Sequence, residues 1–140
     1  MKNFQLKIPT SLLFIALCFS LNSSMSYADD YTDLLSSFTN QGASAFSVER
    51  GKVLWNQKHP AKNGGKERSC SLCHTSNLAN TGKHIKTGKV IKPMAVSKNP
   101  DRLTKARKMK KWLLRNCKWV MGRTCTAQEK GDILSFIHNS

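Results

Sequence analysis

The residues best suited to chemistry lie in one short run, Cys70-Ser71-Leu72-Cys73-His74. Two thiols separated by two residues and followed at once by an imidazole form the attachment pattern of a c-type haem. On one helical turn, the two cysteines can form thioethers with the vinyl groups along one porphyrin edge, and the histidine then turns a ring nitrogen toward the iron. Rival uses of a Cys-x-x-Cys pair fit less well. A dithiol redox motif wants a βαβ setting, a zinc knuckle wants two further ligands at suitable spacing, and neither accounts for His74. One covalently attached haem c is the expected cofactor, with Cys70 and Cys73 as its thioether positions and His74 as the proximal iron ligand.

The other axial position decides the chemistry. A strong Met or His there makes an electron-transfer site, whereas a weak or absent ligand lets the iron take a diatomic gas. The chain offers His59, His84, His138, Met94, Met109 and Met121. His59 follows the first helix of the haem domain and His138 falls in the final turn, so both read as surface residues. His84 reads as a solvent-facing or propionate-contacting group. Met94, directly after Pro93 in a segment downstream of the haem motif, is the strongest of these by residue type, and Met121 is weaker.

Length, charge and cysteine count constrain what must hold such a site. Lys2 and Lys7 precede the apolar run Ser11 to Leu21, and a polar stretch ends in Ser26-Tyr27-Ala28. This is the plan of a secretory signal cleaved after Ala28, and its apolar run is too short to span a bilayer. Periplasmic export is expected. Residues 1–28 take two of the 23 basic residues, none of the eight acidic ones, and Cys18, leaving a mature chain of 112 residues with a charge near +13 and four cysteines. That length suits one small domain. Its positive field suits an acidic protein or an anionic surface. Export and the lack of aromatic interleaving among the basic residues argue against nucleic acid.

The pattern around the motif is helical, and the expected fold is all-α, of the class I cytochrome c kind. Residues 29–46 form an N-terminal extension able to make one short helix burying Leu34, Leu35 and Phe38, and residues 47–140 form the haem domain. Ser47 is a suitable N-cap for a helix carrying Gly51 and Trp55 on one face. The stretch after the motif reads as a long loop over the haem edge. Asn99-Pro100-Asp101 predicts a helix start with proline at its first position, followed by Leu103, Ala106, Met109, Leu113 and Val120 at helical spacing. Thr126 and Glu129 form a capping-box pattern opening a last helix that buries Ile133, Phe136 and Ile137 and crosses the Gly51/Trp55 face.

Beyond the general class, the runs CSLCHT, GKHIKTGKVIKPMA, NPDRLT, KWLLRNC and GRTCTAQEKGD resemble those of the sphaeroides haem protein (SHP) type of c-type cytochrome. The resemblance extends from about Ser47 to the end of the chain. It implies that Asn116 is the distal ligand to ferric iron and leaves on reduction, and that Cys117 and Cys125 form a disulfide. It further implies binding of oxygen, carbon monoxide or nitric oxide to ferrous iron, oxidation of nitric oxide, and electrons from an acidic dihaem or multihaem c-type cytochrome. A monomer touching membranes only transiently is expected. By residue type alone, an amide oxygen is a hard, weak donor that competes poorly for ferrous iron, and Met94 remains the alternative distal ligand of a His/Met electron carrier.

Overall fold

The computed structural model describes residues 29–61 and 64–140. The expected signal segment and its cleavage point lie outside the described residues. Five helices run in the order α1 (Asp30–Thr39), α2 (Val48–Asn56), α3 (Ser71–His74), α4 (Ala106–Val120) and α5 (Ala127–His138). Between α3 and α4 a two-residue antiparallel ladder pairs β1 (Gly82–Lys83) with β2 (Val90–Ile91), with Gly82 opposite Ile91.

The crossing of α2 and α5 is the centre of the fold. Ser47 caps α2 by accepting the Arg50 N–H at 3.2 Å. One turn on, a Cβ at Gly51 would overlap the Asp132 carbonyl of α5, so only glycine lets the helices approach this closely. Trp55 and Phe136 complete the crossing, their rings edge to face at 6.0 Å. The Thr126 side chain accepts the Glu129 N–H at 3.1 Å, and Glu129 accepts the Thr126 N–H at 2.8 Å, giving α5 its capping box.

Beyond its first turn, α5 is enclosed on every side: all residues from Gly131 to Ile137 are buried. This run includes Asp132, 1 % exposed. Burial alone would push that carboxyl upward in pKa, but it accepts Arg50 Nε and Nη2 at 2.8 and 2.9 Å and the Ser47 N–H at 2.7 Å. With Gln128 also donating at 3.1 Å, the net shift is downward, so the carboxylate stays ionised inside the core.

The N-terminal extension belongs to the same core. Asp29 caps α1 by accepting the Thr32 N–H at 2.8 Å, and α1 buries Leu34 and Phe38 against the main cluster. Its first turn stacks Tyr31 on His138 of α5, ring centroids 4.4 Å apart.

The start of α4 departs from the sequence expectation. Residues Asn99 to Arg102 form a turn, the Arg102 N–H reaching the Asn99 carbonyl at 3.0 Å, and α4 begins only at Ala106. The cause is Leu103, whose φ of 59° breaks helical continuation. From Ala106 on, Met109, Leu113 and Val120 form a buried stripe as the periodicity predicts, joined by Cys117, whereas Leu103 and Ala106 are only half-buried.

Candidate haem site

The haem motif is fixed at both ends. Before it, His59 and Arg68 exchange backbone hydrogen bonds of 2.8 and 2.9 Å in an isolated antiparallel bridge that aligns the chain entering Ser69 and Cys70. Ser69 Oγ accepts the Leu72 N–H at 3.1 Å and so satisfies a free donor of the α3 turn. After it, Thr75 adopts φ 65° and ends the turn, while its carbonyl accepts Trp55 Nε1 at 2.9 Å. Trp55 thereby ties the motif to the α2/α5 crossing, and its ring lies 5.5 Å from that of His74. Gly82 of β1 passes directly under the motif, where a Cβ would overlap the Cys73 carbonyl.

The side chains suit haem attachment. Cys70 and Cys73 are free thiols on the same turn, whereas Cys117 and Cys125 are joined as a disulfide, S–S 1.96 Å. Burial pushes the Cys70 thiol up to about 11, keeping it protonated. Burial also lowers His74 to about 4, helped by the positive charge of Arg102, so the imidazole is neutral at ordinary pH and has a lone pair to give a metal. His74 Nδ1 is buried without a hydrogen-bond partner. A neutral imidazole with a buried, unpartnered nitrogen is costly as a bare protein group, and with two free thiols on the same turn the set fits a ring-borne iron held by Cys70, Cys73 and His74.

An open cavity of about 650 Å³ adjoins the motif. Leu72, Ile85 and Trp119 supply its apolar lining, and Lys58, Lys66, Arg68 and Lys86 stand around it with Glu67, which pairs with Lys58 at 3.4 Å. Leu72 and Ile85 are 45 % and 48 % exposed, a strongly apolar face beside the thiols. Neither His74 nor Asn116 is part of this lining.

Asn116 lies on α4 at the edge of the buried stripe, half-buried, directly before the disulfide-bonded Cys117. On the same flank are Trp112, 51 % exposed with the cations of Lys111 and Arg115 at 5.8 and 5.2 Å from its ring, and Trp119. The link from α4 to the haem motif is Arg68, which donates from Nη1 to the Trp119 carbonyl at 2.9 Å and lies 4.7 Å over the Trp119 ring.

The remaining candidates have structural surroundings. The Met94 N–H donates to the Leu78 carbonyl at 2.9 Å, and its side chain packs against the core cluster. Met109 is core, and Met121 Sδ lies 3.5 Å from Cys125 Sγ, a contact without a shared hydrogen since that sulfur is in the disulfide. His84 is exposed and accepts the Thr87 N–H at 3.2 Å, organising the hairpin turn. His138 is exposed and stacked on Tyr31. His59 departs from its expected surface setting: the bridge to Arg68 draws it in, and its Nε2 is buried without a partner.

Two residues near the site are given no role by the sequence. Arg68 precedes Cys70 by two positions in a stretch without periodicity. Arg102 donates to the Pro93 and Lys92 carbonyls at 2.9 and 2.7 Å, holding the loop that bears Met94 and setting a positive charge near His74.

Comparison with known proteins gives consistent matches. Residues 41–137 match a family model described as a domain of unknown function, DUF1924. The cytochrome c-type protein SHP of Cereibacter sphaeroides is 37 % identical over 106 residues, which is 74 % of this chain and 79 % of that protein. The structure of oxidised SHP, described as an oxygen-binding cytochrome c, superposes with a TM-score of 0.70 at 34 % identity, covering 77 % of this chain and 95 % of the other. Cytochrome c'' of Methylophilus methylotrophus is 36 % identical over 107 residues, 76 % of this chain and 73 % of that protein. Its solution structure, which addresses the structural basis of haem-ligand detachment, superposes with a TM-score of 0.67 at 33 % identity, covering 77 % and 91 % of the two chains.

Proposed function

The chain belongs to the family of class I c-type cytochromes that includes SHP and cytochrome c'', and from that premise we propose that it is a gas-binding cytochrome whose distal ligand, Asn116, is released on reduction. Haem c, when bound, would supply a redox-active iron able to take a diatomic gas. Cys70 and Cys73 would hold it by thioethers, and His74 would ligate the iron through its neutral imidazole. Asn116 would offer its amide oxygen, a hard neutral donor that would suit ferric iron better than ferrous iron and so would give way to oxygen, carbon monoxide or nitric oxide on reduction.

One observation carries this reading. Asn116 occupies a half-buried helical position whose neighbouring backbone is pinned by the Cys117–Cys125 disulfide. A ligand on so restrained a segment leaves and returns by moving its side chain, which suits reversible release. The core packing of Met94 supports a filling role for that residue.

In this reading the protein works in the periplasm as a monomer. The cations beside the open cavity suit an acidic surface, and in this reading that surface is an acidic redox partner, a dihaem or multihaem c-type cytochrome. Nitric oxide oxidation, with electrons from that partner, is the turnover that the family resemblance implies for this reading.

The test is spectroscopic. Carbon monoxide added to dithionite-reduced protein is expected to give a carbonyl adduct promptly, and N116A is expected to turn the ferric protein high-spin. An unaltered low-spin ferric spectrum in N116A would sink the assignment and return Met94 to first place.

A further inference from the structure

We propose that Arg68 is a positioning residue that sets the strength of distal ligation by tying the end of α4 to the haem-attachment segment. The inference rests on Asn116 being the distal ligand. Arg68 makes no ion pair among the described residues. Its guanidinium instead donates to the Trp119 carbonyl at 2.9 Å and covers the Trp119 ring at 4.7 Å. The last carbonyls of a helix have no partner within it, and a cation at that end is favoured by the helix dipole. Arg68 answers both needs at the C-terminus of α4.

Its own backbone is fixed by the paired bonds to His59, and two residues later the chain becomes Cys70. Asn116 lies one helical turn before Trp119. Arg68 is thus a strut between the segment that carries the proximal histidine and the helix that carries the distal asparagine. The disulfide cannot do this job, because both of its cysteines lie on the distal side.

Without the strut the last turn of α4 is free to drift from the iron. A competing ligand then binds the ferric protein more tightly, because its apparent affinity grows with the fraction of protein whose distal position is open. Imidazole is a suitable probe above about pH 8, where it is neutral and does not respond directly to loss of the Arg68 charge.

In the ferric holoprotein, R68A is expected to lower the apparent dissociation constant for imidazole about tenfold, the scale of one hydrogen bond from a charged donor. Amide exchange at Val120 and Met121 is expected to quicken. In the N116A background the same Arg68 change is expected to leave imidazole affinity unaltered, because no protein ligand remains to be weakened. If R68A does not accumulate with haem, R68Q retains an amide donor for the Trp119 carbonyl without the stacked cation and is expected to shift affinity in the same direction by less. Unchanged affinity in the Arg68 variants, or an equal shift with and without Asn116, overturns the strut while leaving Asn116 as ligand. If N116A itself fails to tighten imidazole, the strut and the assignment of Asn116 fall together.

Discussion

The Asp30 carboxylate accepts the Ala106 N–H at 2.9 Å, so the first helix of the described chain caps the helix that carries Asn116. No side chain of α4's own cap residue, Lys105, does this work. A tertiary cap is comparable to a local one, about 1 kcal/mol. D30A is therefore expected to lower the melting temperature by about 4 °C and to speed amide exchange at the start of α4, while D30N, which keeps an acceptor oxygen, loses less.

The contact between Gly51 and the Asp132 carbonyl leaves no room for a methyl group. Backbone cannot move aside as a flexible side chain can, so G51A is expected to cost roughly 2–3 kcal/mol in chemical denaturation. At Gly131 a Cβ would meet the Phe46 ring, a half-buried side chain able to turn away. G131A is expected to cost less, and the reverse order would show that the helix crossing is not the tight point of the fold.

Glu129 is held at about 2 by Arg123, whose Nη1 and Nη2 donate to its two oxygens at 2.7 and 2.6 Å; partial burial opposes the shift, and the Thr126 N–H supports it. A depressed carboxyl stabilises the fold above its unfolded value of 4.5, and that contribution is lost as the pH falls toward 2. Wild type is expected to be more stable than E129Q at pH 7, with the two stability curves converging between pH 4.5 and about 2. Parallel curves over that interval would show that the ion pair does not act in folding.

Closing the eight-residue interval between Cys117 and Cys125 restricts the unfolded chain by about 2.5 kcal/mol in the chain-entropy picture. Removing it with C117S/C125S is expected to reduce stability by about that amount. The same variant is expected to broaden the ferric absorption bands and raise the high-spin fraction, because the segment bearing Asn116 gains freedom. A stability loss with an unchanged ferric spectrum would show a purely structural clip.

The sequence carries the parts of this protein whose causes are local. Cys70, Cys73 and His74 share one helical turn, so spacing alone identifies them, and Thr126 with Glu129 announces a helix start in the same way. Gly51 and Trp55 are legible because a glycine and an aromatic at helical spacing suit a crossing. The late start of α4 is hidden because it depends on Leu103 adopting φ 59°, which a leucine rarely does. The Asp30 cap and the Arg68 strut are hidden for another reason: each joins groups 76 or 51 residues apart. Asn116 is in between. The ligand role proposed for it comes from likeness to a known family, since nothing in helix periodicity separates an iron ligand from a polar residue on a helix flank.

The enclosure of α5 leaves its sequence little latitude: with every residue from Gly131 to Ile137 buried, no face of that stretch can take a bulkier or more polar side chain without disturbing its neighbours. Through Gly51, Trp55 and the hydrogen bond from Trp55 to the Thr75 carbonyl, a helix far in sequence from Cys70 and Cys73 sets the frame in which they are held.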